Sequence, residues 1–166
     1  DCAVAVMANQ AMNYLTTGTP PTRTGNTHPN LTPYQVFDCA DGHIIIATGN
    51  DSQYRRLCAV LDLPELAEHP DFITNPDRVA HRDSLTDLLT AKTILRTRDD
   101  LLAACEAHGI PAGPINDMAQ VFADPQIVHR GMQVDLDGVP GMRTPIRFSD
   151  ADTSPRGPAP RQGGNG

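Results

Sequence analysis

Residues 23–51 constrain the fold of this chain more than any other stretch, because two glycine-bearing loops enclose a predicted β-hairpin there. Residues 34–37 combine β-branched and aromatic side chains, as strands do. Asp41-Gly42 predicts the hairpin turn, since glycine accepts a positive φ without steric cost. Residues 43–48 contain three consecutive isoleucines, which favour a second strand buried on both faces.

Apolar residues at helical spacing predict helices on both sides of this hairpin. The first covers residues 1–15, and Gly18 ends it. After the hairpin, Asn50 or Asp51 is expected to cap the next helix. The later predicted caps are Asn75, Thr97, Asn116 and Asp124. The inner face of the helix after Asn75 is predicted to hold Val79, Leu85, Leu88, Leu89 and Leu95.

The last part of the chain is predicted to contain two more strands, at residues 133–136 and 142–148, joined by a turn that contains Gly138, Pro140 and Gly141. From Ser149 onward Pro, Arg and Gly dominate, which is typical of an extended tail without its own core. The pattern as a whole predicts an α+β fold, with a small antiparallel sheet and several helices. A connector helix and an extended tail flank it.

Charge and motif patterns exclude several functional classes. The net charge of −7 argues against a nucleic-acid partner, which needs a basic face. Six histidines show no HExxH or HxH spacing, so no metal site is predicted. Four widely spaced cysteines without a secretory signal indicate reduced thiols and a cytoplasmic protein. No apolar run approaches the roughly 18 residues of a membrane span.

No phosphate-binding loop or nucleophile elbow is present. Chemistry is therefore expected at two loops, residues 25–29 and residues 49–51. Backbone amides in the loop that starts at Gly25 can approach a ligand closely and face a developing negative charge. The alternative is that Gly25 and Gly49 only form turns. Asp51 is likewise either a helix cap or an acid/base group.

At this point the residues show a resemblance to a known family. GNTHPNLTPYQVF followed by DGHIIIATGNDSQYRRLC resembles the class III CoA-transferases, with α-methylacyl-CoA racemase as a sister branch. Further matches in the same order are Asp71-Phe72, Arg78, Arg82, residues 108–115, Asp124-Pro125 and residues 144–148. The resemblance covers essentially the whole chain.

The resemblance implies that this chain is the C-terminal part of a longer protein. Residues 1–22 would be a connector from a large Rossmann-like α/β domain, residues 23–125 a small α+β domain, and residues 126–166 a return segment and tail. The domain before residue 1 would bind most of the CoA. It would also supply an aspartate nucleophile, so the isolated chain is predicted to be inactive.

The resemblance also implies a reaction and its site residues. An aspartyl intermediate would move CoA between an acyl-CoA thioester and a carboxylic acid, in an interlocked homodimer. CoA would be a substrate, with no tightly bound cofactor. Gly25, Asn26, Thr27 and His28 match the loop that covers the intermediate. Some relatives have further glycines where this loop has Asn-Thr-His, which predicts a less mobile loop here.

Two rival functions stay open at the level of sequence. Racemases of the sister branch have a glutamate acid/base residue at the position of Asp51 and lack the Gly-Asn-x-His-Pro loop. The shorter aspartate and the loop therefore favour a transferase. The other rival is a non-catalytic binding or assembly module. The apolar residues Met7, Ala11 and Leu15 argue against it, since they need a partner.

Overall fold

A computed structural model describes residues 1–159 of the chain. These residues form two compact units, one over Asp1–Ile115 and one that starts at Asn116. The helices of the first unit are α1 (Cys2–Val6), α2 (Ala8–Thr17), α3 (Asp51–Val60), α4 (Asn75–Ala80), α5 (Arg82–Thr93) and α6 (Arg98–Ala107), with a 3-10 helix at Pro64–Glu68. Its strands are β1 (Tyr34–Cys39), β2 (Gly42–Ala47) and β3 (Ala112–Pro114).

The predicted hairpin is the centre of the first unit. β2 lies between β1 and β3 in an antiparallel sheet, and Cys39 pairs with Gly42 at the end of the hairpin. The connection is therefore Ala40-Asp41, one residue earlier than the predicted turn. Asp41 accepts a hydrogen bond from the backbone N–H of Arg98 at 2.7 Å, which ties the turn to the start of α6.

One face of the sheet is fully buried and the other only partly. Phe37, Ile44 and Ile46 point into the core, whereas Ile45 is half-buried on the opposite face. There β3 contributes Gly113, where an added Cβ would lie 3.5 Å from the Ile45 side chain. The expectation of a strand buried on both faces is thus wrong for the second face, where Ile45 is only half-buried. The core also includes Tyr54, Leu57, Cys58, Leu85, Leu89, Leu101 and Cys105.

The helical region after residue 74 differs from the prediction in two respects. Thr74, not Asn75, caps α4, and its side chain forms a reciprocal capping box with Asp77. The chain then divides into α4 and α5 at His81. Leu88 and Leu95 are predicted inside but are exposed, because Leu88 lies off the face of α5 that holds Leu85 and Leu89, and Leu95 follows the end of that helix at Thr93.

The second unit contains α7 (Met118–Ala123), α8 (Pro125–His129), β4 (Gln133–Leu136) and β5 (Val139–Met142). Asp117 rather than Asn116 caps α7, since its carboxylate accepts from the Gln120 N–H. The predicted second strand at residues 142–148 is wrong. β5 lies earlier, because Asp137 and Gly138 adopt positive φ and close a two-residue hairpin between Leu136 and Val139.

The fold class agrees with the α+β prediction, since helices surround small antiparallel sheets. Residues 149–159 form neither helix nor strand, as predicted for the first part of the tail. The remainder of the predicted tail, residues 160–166, lies outside the described residues. The division at residues 22 and 125 remains a prediction.

Candidate active site

The loop of Gly25, Asn26, Thr27 and His28 begins with a turn that requires glycine. Gly25 has a φ of 62°, and the Thr27 N–H donates to the Thr24 carbonyl at 3.2 Å. A Cβ at Gly25 would have no heavy atom within 4 Å. Glycine is therefore needed here for its backbone conformation. The space beside it is open.

Asn26 and His28 attach the loop to the outer edge of β1. The Val36 N–H donates to the Asn26 side-chain oxygen at 3.0 Å, and the His28 N–H donates to the Tyr34 carbonyl at 2.9 Å. β1 pairs with β2 on its other side, so these bonds satisfy groups of an edge strand. Both bonds hold the loop against this edge of the sheet, and its lower mobility remains a prediction.

The His28 ring is held in a defined orientation. It stacks on Tyr34 with a centroid distance of 5.0 Å and an interplanar angle of 18°. Its Nδ1 accepts from the Asn30 N–H at 3.1 Å. In the neutral ring this bond assigns the proton to Nε2. Nε2 then lies 3.5 Å from the Nδ2 nitrogen of Asn9 on α2, and because both groups are donors this contact is not a hydrogen bond in that tautomer. The ring therefore presents a hydrogen-bond donor at its outer nitrogen.

Asp51 is the first residue of α3 and not its cap. Asn50 takes the cap position with extended backbone angles, and its side chain accepts from the Gln53 N–H at 2.9 Å. The Asp51 carboxylate instead accepts from Nη2 of Arg78 at 2.7 Å. The expectation that Asp51 caps the helix is therefore wrong. Its side chain is 44% exposed, whereas that of Arg78 is 1% exposed.

Arg78 connects Asp51 to the segment that follows the loop. Its Nε donates to the Thr32 carbonyl at 2.7 Å, and its Nη1 donates to the Phe72 carbonyl at 2.9 Å. The guanidinium carbon lies 4.3 Å from the centroid of the Tyr54 ring. One buried arginine thus joins Asp51 to Thr32, which lies in the segment after the loop.

Sequence reasoning singled out Arg78 only as a matching residue and assigned it no role. A weak signal was present, since Asn75, Arg78 and Arg82 recur at the spacing of one helix face. That spacing is equally common on solvent-exposed helix faces. In the structure, all three side chains contact the same segment, residues 29–32.

The other candidate groups are structural or exposed. His43 Nε2 lies 3.3 Å from the Asp38 carboxylate on the surface of the hairpin. Cys39 is buried, and burial raises the pKa of its thiol, so it is a poor nucleophile. Within residues 1–159, no three His, Cys, Asp or Glu side chains are grouped as metal ligands. No helix in that range has the length and apolarity to cross a bilayer.

These features belong to a known class of protein. Residues 1–166 match CoA-transferase family III along their whole length, and the chain belongs to this family. The family assignment made from the loop and hairpin motifs is therefore confirmed.

Several relatives show how much of a family member this chain represents. It is 45% identical to a succinate–glutarate CoA-transferase of Agrobacterium fabrum, over 98% of this chain and 42% of that protein. It is 35% identical to the human succinyl-CoA:glutarate CoA-transferase, over 96% of this chain and 38% of that protein. The chain thus spans about two fifths of the curated relatives it matches.

A solved structure supports the fold. The chain matches a CAIB/BAIF family protein from Brucella suis with a TM-score of 0.82 and 55% identity. That match covers 96% of this chain and 43% of the crystallised one. The sheet and helices described above are therefore the fold of this part of the family.

Proposed function

We propose that this chain is part of an enzyme that transfers CoA between an acyl-CoA and a free dicarboxylic acid, with succinyl-CoA as a donor. The observation that carries the proposal is the 45% identity, across nearly all of this chain, to a succinate–glutarate CoA-transferase. Other relatives are named for succinyl-CoA with glutarate or mesaconate, and one for acetyl-CoA with oxalate. Dicarboxylates are the substrate class that most of these names share.

The proposed reaction uses an aspartate that lies outside these residues. Its carboxylate attacks the thioester carbonyl, the carbon–sulfur bond breaks, CoA leaves as a thiolate and an anhydride forms. The thiolate then attacks the aspartyl carbonyl, which releases the donor carboxylate and leaves an aspartyl-CoA thioester. The acceptor carboxylate repeats these steps in reverse. No water or oxidant is consumed, and no net proton is transferred.

The loop of Gly25, Asn26, Thr27 and His28 is proposed to cover these intermediates. An anhydride is lost if water reaches it, so the loop contributes by excluding water. Three features support this role: the open space at Gly25, the attachment of Asn26 to β1, and the donor nitrogen Nε2 of His28. That N–H is suited to an anionic oxygen of a carboxylate or oxyanion.

Asp51 is proposed to act as the counterion of Arg78 and not as an acid or base. Its Oδ1 is engaged by the buried guanidinium at 2.7 Å. An acid/base group of a racemase has to reach the substrate to exchange a proton with it, whereas this carboxylate oxygen is occupied by the Arg78 guanidinium. The contact therefore favours the transferase over the racemase.

The working enzyme is proposed to be a cytoplasmic homodimer. The four cysteines have no disulfide partner, which suits a reducing compartment. The dimer follows from the family resemblance, in which the loop of one subunit acts at a site formed with the other.

The test uses the complete protein that contains this chain. It is incubated with succinyl-CoA and, separately, glutarate, mesaconate, oxalate or carnitine, and new acyl-CoA is measured by mass spectrometry. Intact-mass analysis then searches for CoA bound to an aspartate. Transfer to a dicarboxylate together with an aspartyl-CoA adduct is expected. No adduct, with exchange of the α-proton of a branched acyl-CoA, would assign the protein to racemisation instead.

A further inference from the structure

The segment that follows the candidate loop has an unusual hydrogen-bond pattern. Every backbone carbonyl from residue 29 to residue 34 accepts a hydrogen bond, although residues 29–33 precede β1 and have no ladder partners of their own. The donors to Pro29, Asn30, Leu31, Thr32, Pro33 and Tyr34 are, in that order, Arg82, Asn75, Arg82, Arg78, Thr48 and His28. All six carbonyls of an irregular segment are thereby satisfied, as they would be in a strand.

Three side chains supply four of these bonds and form a row on α4 and α5. Asn75 donates to the Asn30 carbonyl at 2.8 Å and accepts from the Thr32 N–H at 3.2 Å. Arg82 donates to the Pro29 and Leu31 carbonyls at 3.2 and 3.4 Å. Arg78 donates to the Thr32 carbonyl at 2.7 Å. We call Asn75, Arg78 and Arg82 the clamp.

Arg78 is the fixed point of the clamp. A buried guanidinium is costly unless each of its nitrogens has a partner, and here carbonyls occupy Nε and Nη1 while Asp51 occupies Nη2. The Asp51 carboxylate supplies the compensating charge, and α3 holds that carboxylate in place. The position of Thr32 is therefore set by α3 and α4 together.

We infer that the clamp positions the active-site loop for CoA transfer, so that Arg78 and Arg82 are positioning residues of the reaction. This inference rests on the proposed function. The clamp fixes residues 29–32, and His28 precedes them directly, with its ring bonded to the Asn30 N–H at 3.1 Å. A loop that excludes water from an anhydride needs a fixed segment next to it. A small displacement of it admits water and loses the geometry of transfer.

The decisive variant is Arg82→Gln in the complete protein. Both side-chain bonds of Arg82 go to the loop segment, so this change loosens the clamp without removing the buried Arg78. The matched control is Arg55→Gln, which removes the same charge from an exposed arginine paired with Glu68 at 3.7 Å. Three quantities are measured for each variant: kcat for transfer, the ratio of thioester hydrolysis to transfer, and hydrogen exchange of peptides covering residues 25–34.

For Arg82→Gln we expect kcat to fall about 10- to 100-fold, the hydrolysis ratio to rise about tenfold, and exchange to accelerate in residues 25–34. Arg55→Gln should match the wild type in all three. Asn75→Ala, which removes the other contact confined to this segment, should shift the same readouts in the same direction. A purely structural clamp would change exchange or stability but leave the hydrolysis ratio constant.

The possible failures are distinguishable. If the wild-type complete protein transfers no CoA, the proposed function fails and this inference fails with it. If the wild type transfers CoA and Arg82→Gln has the kcat and hydrolysis ratio of Arg55→Gln, the inference alone is overturned, whatever the exchange data show. Equal loss of transfer in both arginine variants would also overturn it, since the effect would then be one of charge.

Discussion

Arg78 and Asp51 form an asymmetric ion pair at the scale of single residues. The guanidinium is buried with 1% of its side chain exposed, whereas the carboxylate is 44% exposed. Removing the carboxylate would leave an uncompensated cation in a poorly solvated place, which costs more than the pair itself contributes. The half-exposed carboxylate site admits water, and this reduces the penalty.

Asp51→Ala is expected to lower the free energy of unfolding by about 2 kcal/mol, below the usual cost of breaking a fully buried pair. The measurement is urea denaturation at neutral pH. Asp38→Ala is the control, because it breaks an exposed pair with His43, and its cost should stay within about 0.5 kcal/mol. Equal losses of unfolding free energy in the two variants would show that the ion pair with Arg78 stabilises the fold no more than the exposed pair does.

Gly25 offers a second prediction for a single residue. Its φ of 62° is unfavourable for residues with a Cβ, although a Cβ there would meet no atom within 4 Å. Gly25→Ala should therefore cost about 1 kcal/mol from backbone strain alone, and Gly25→Asn should cost less because asparagine tolerates this conformation. Denaturation of both variants checks this. Gly49→Ala is the control, since its Cβ would make an ordinary 3.5 Å contact with Gln53. If Gly25→Ala lowers the free energy of unfolding no more than Gly49→Ala does, the strain argument is contradicted.

At the scale of elements, α6 packs a thiol into the core. Burial raises the pKa of Cys105 from 9.0 to about 11, and nearby Cys39 adds to the rise while Arg96 opposes it. Above about pH 9 the unfolded chain loses this proton but the folded chain keeps it. The stabilisation is therefore complete below pH 9 and is lost as the pH rises towards 11.

The contribution of Cys105 to this loss is expected to be about 2 to 3 kcal/mol, from the size of the pKa change. It is measured as the difference in unfolding free energy between about pH 8 and about pH 10.5. Cys105→Ala should show a smaller difference, though not zero, since burial also raises the pKa of Cys39 and Cys58. Cys2→Ala, which removes an exposed thiol, serves as the control. A pH dependence reduced equally by both variants would refute the assignment.

Elements set by local chemistry were predictable from the sequence. The hairpin, whose turn lies one residue before the predicted Asp41-Gly42, and the cap of α6 at Thr97 depend on residues within one turn. The second strand of the last hairpin was misplaced because two turn signals compete there. The glycines and proline of residues 138–141 predict a later turn, but Asp137-Gly138 forms it. Caps at Asn75 and Asn116 were misplaced by one residue, since a neighbouring Thr or Asp forms the reciprocal capping box.

The candidate site was only partly predictable for a different reason. The loop itself is visible as glycine and proline spacing, and its family resemblance was sufficient to identify it. The burial of Arg78 depends on carbonyls of residues 32 and 72 and on a carboxylate at residue 51. These partners meet only after the sheet and α3 have packed. No local pattern distinguishes such an arginine from one on a solvated helix face.

At the scale of the whole molecule, the proposed function requires more chain than these residues provide. The chain spans 42% of the succinate–glutarate CoA-transferase that it resembles. In the proposed enzyme, this chain supplies the covering loop and its clamp. The longer protein supplies the aspartate and most of the CoA site.

The isolated chain is therefore expected to bind no covalent CoA and to transfer none from succinyl-CoA to glutarate. The complete protein, assayed at the same concentration, is the positive control. A cooperative urea transition of the isolated chain is needed alongside, because it shows that the sheet and core have formed before inactivity is interpreted. Transfer by the pure isolated chain, above the rate of thioester hydrolysis, would contradict the proposal directly. It would mean that a nucleophile lies within these residues, and the candidates would then be the exposed carboxylates of the first unit, since Asp51 is held by Arg78.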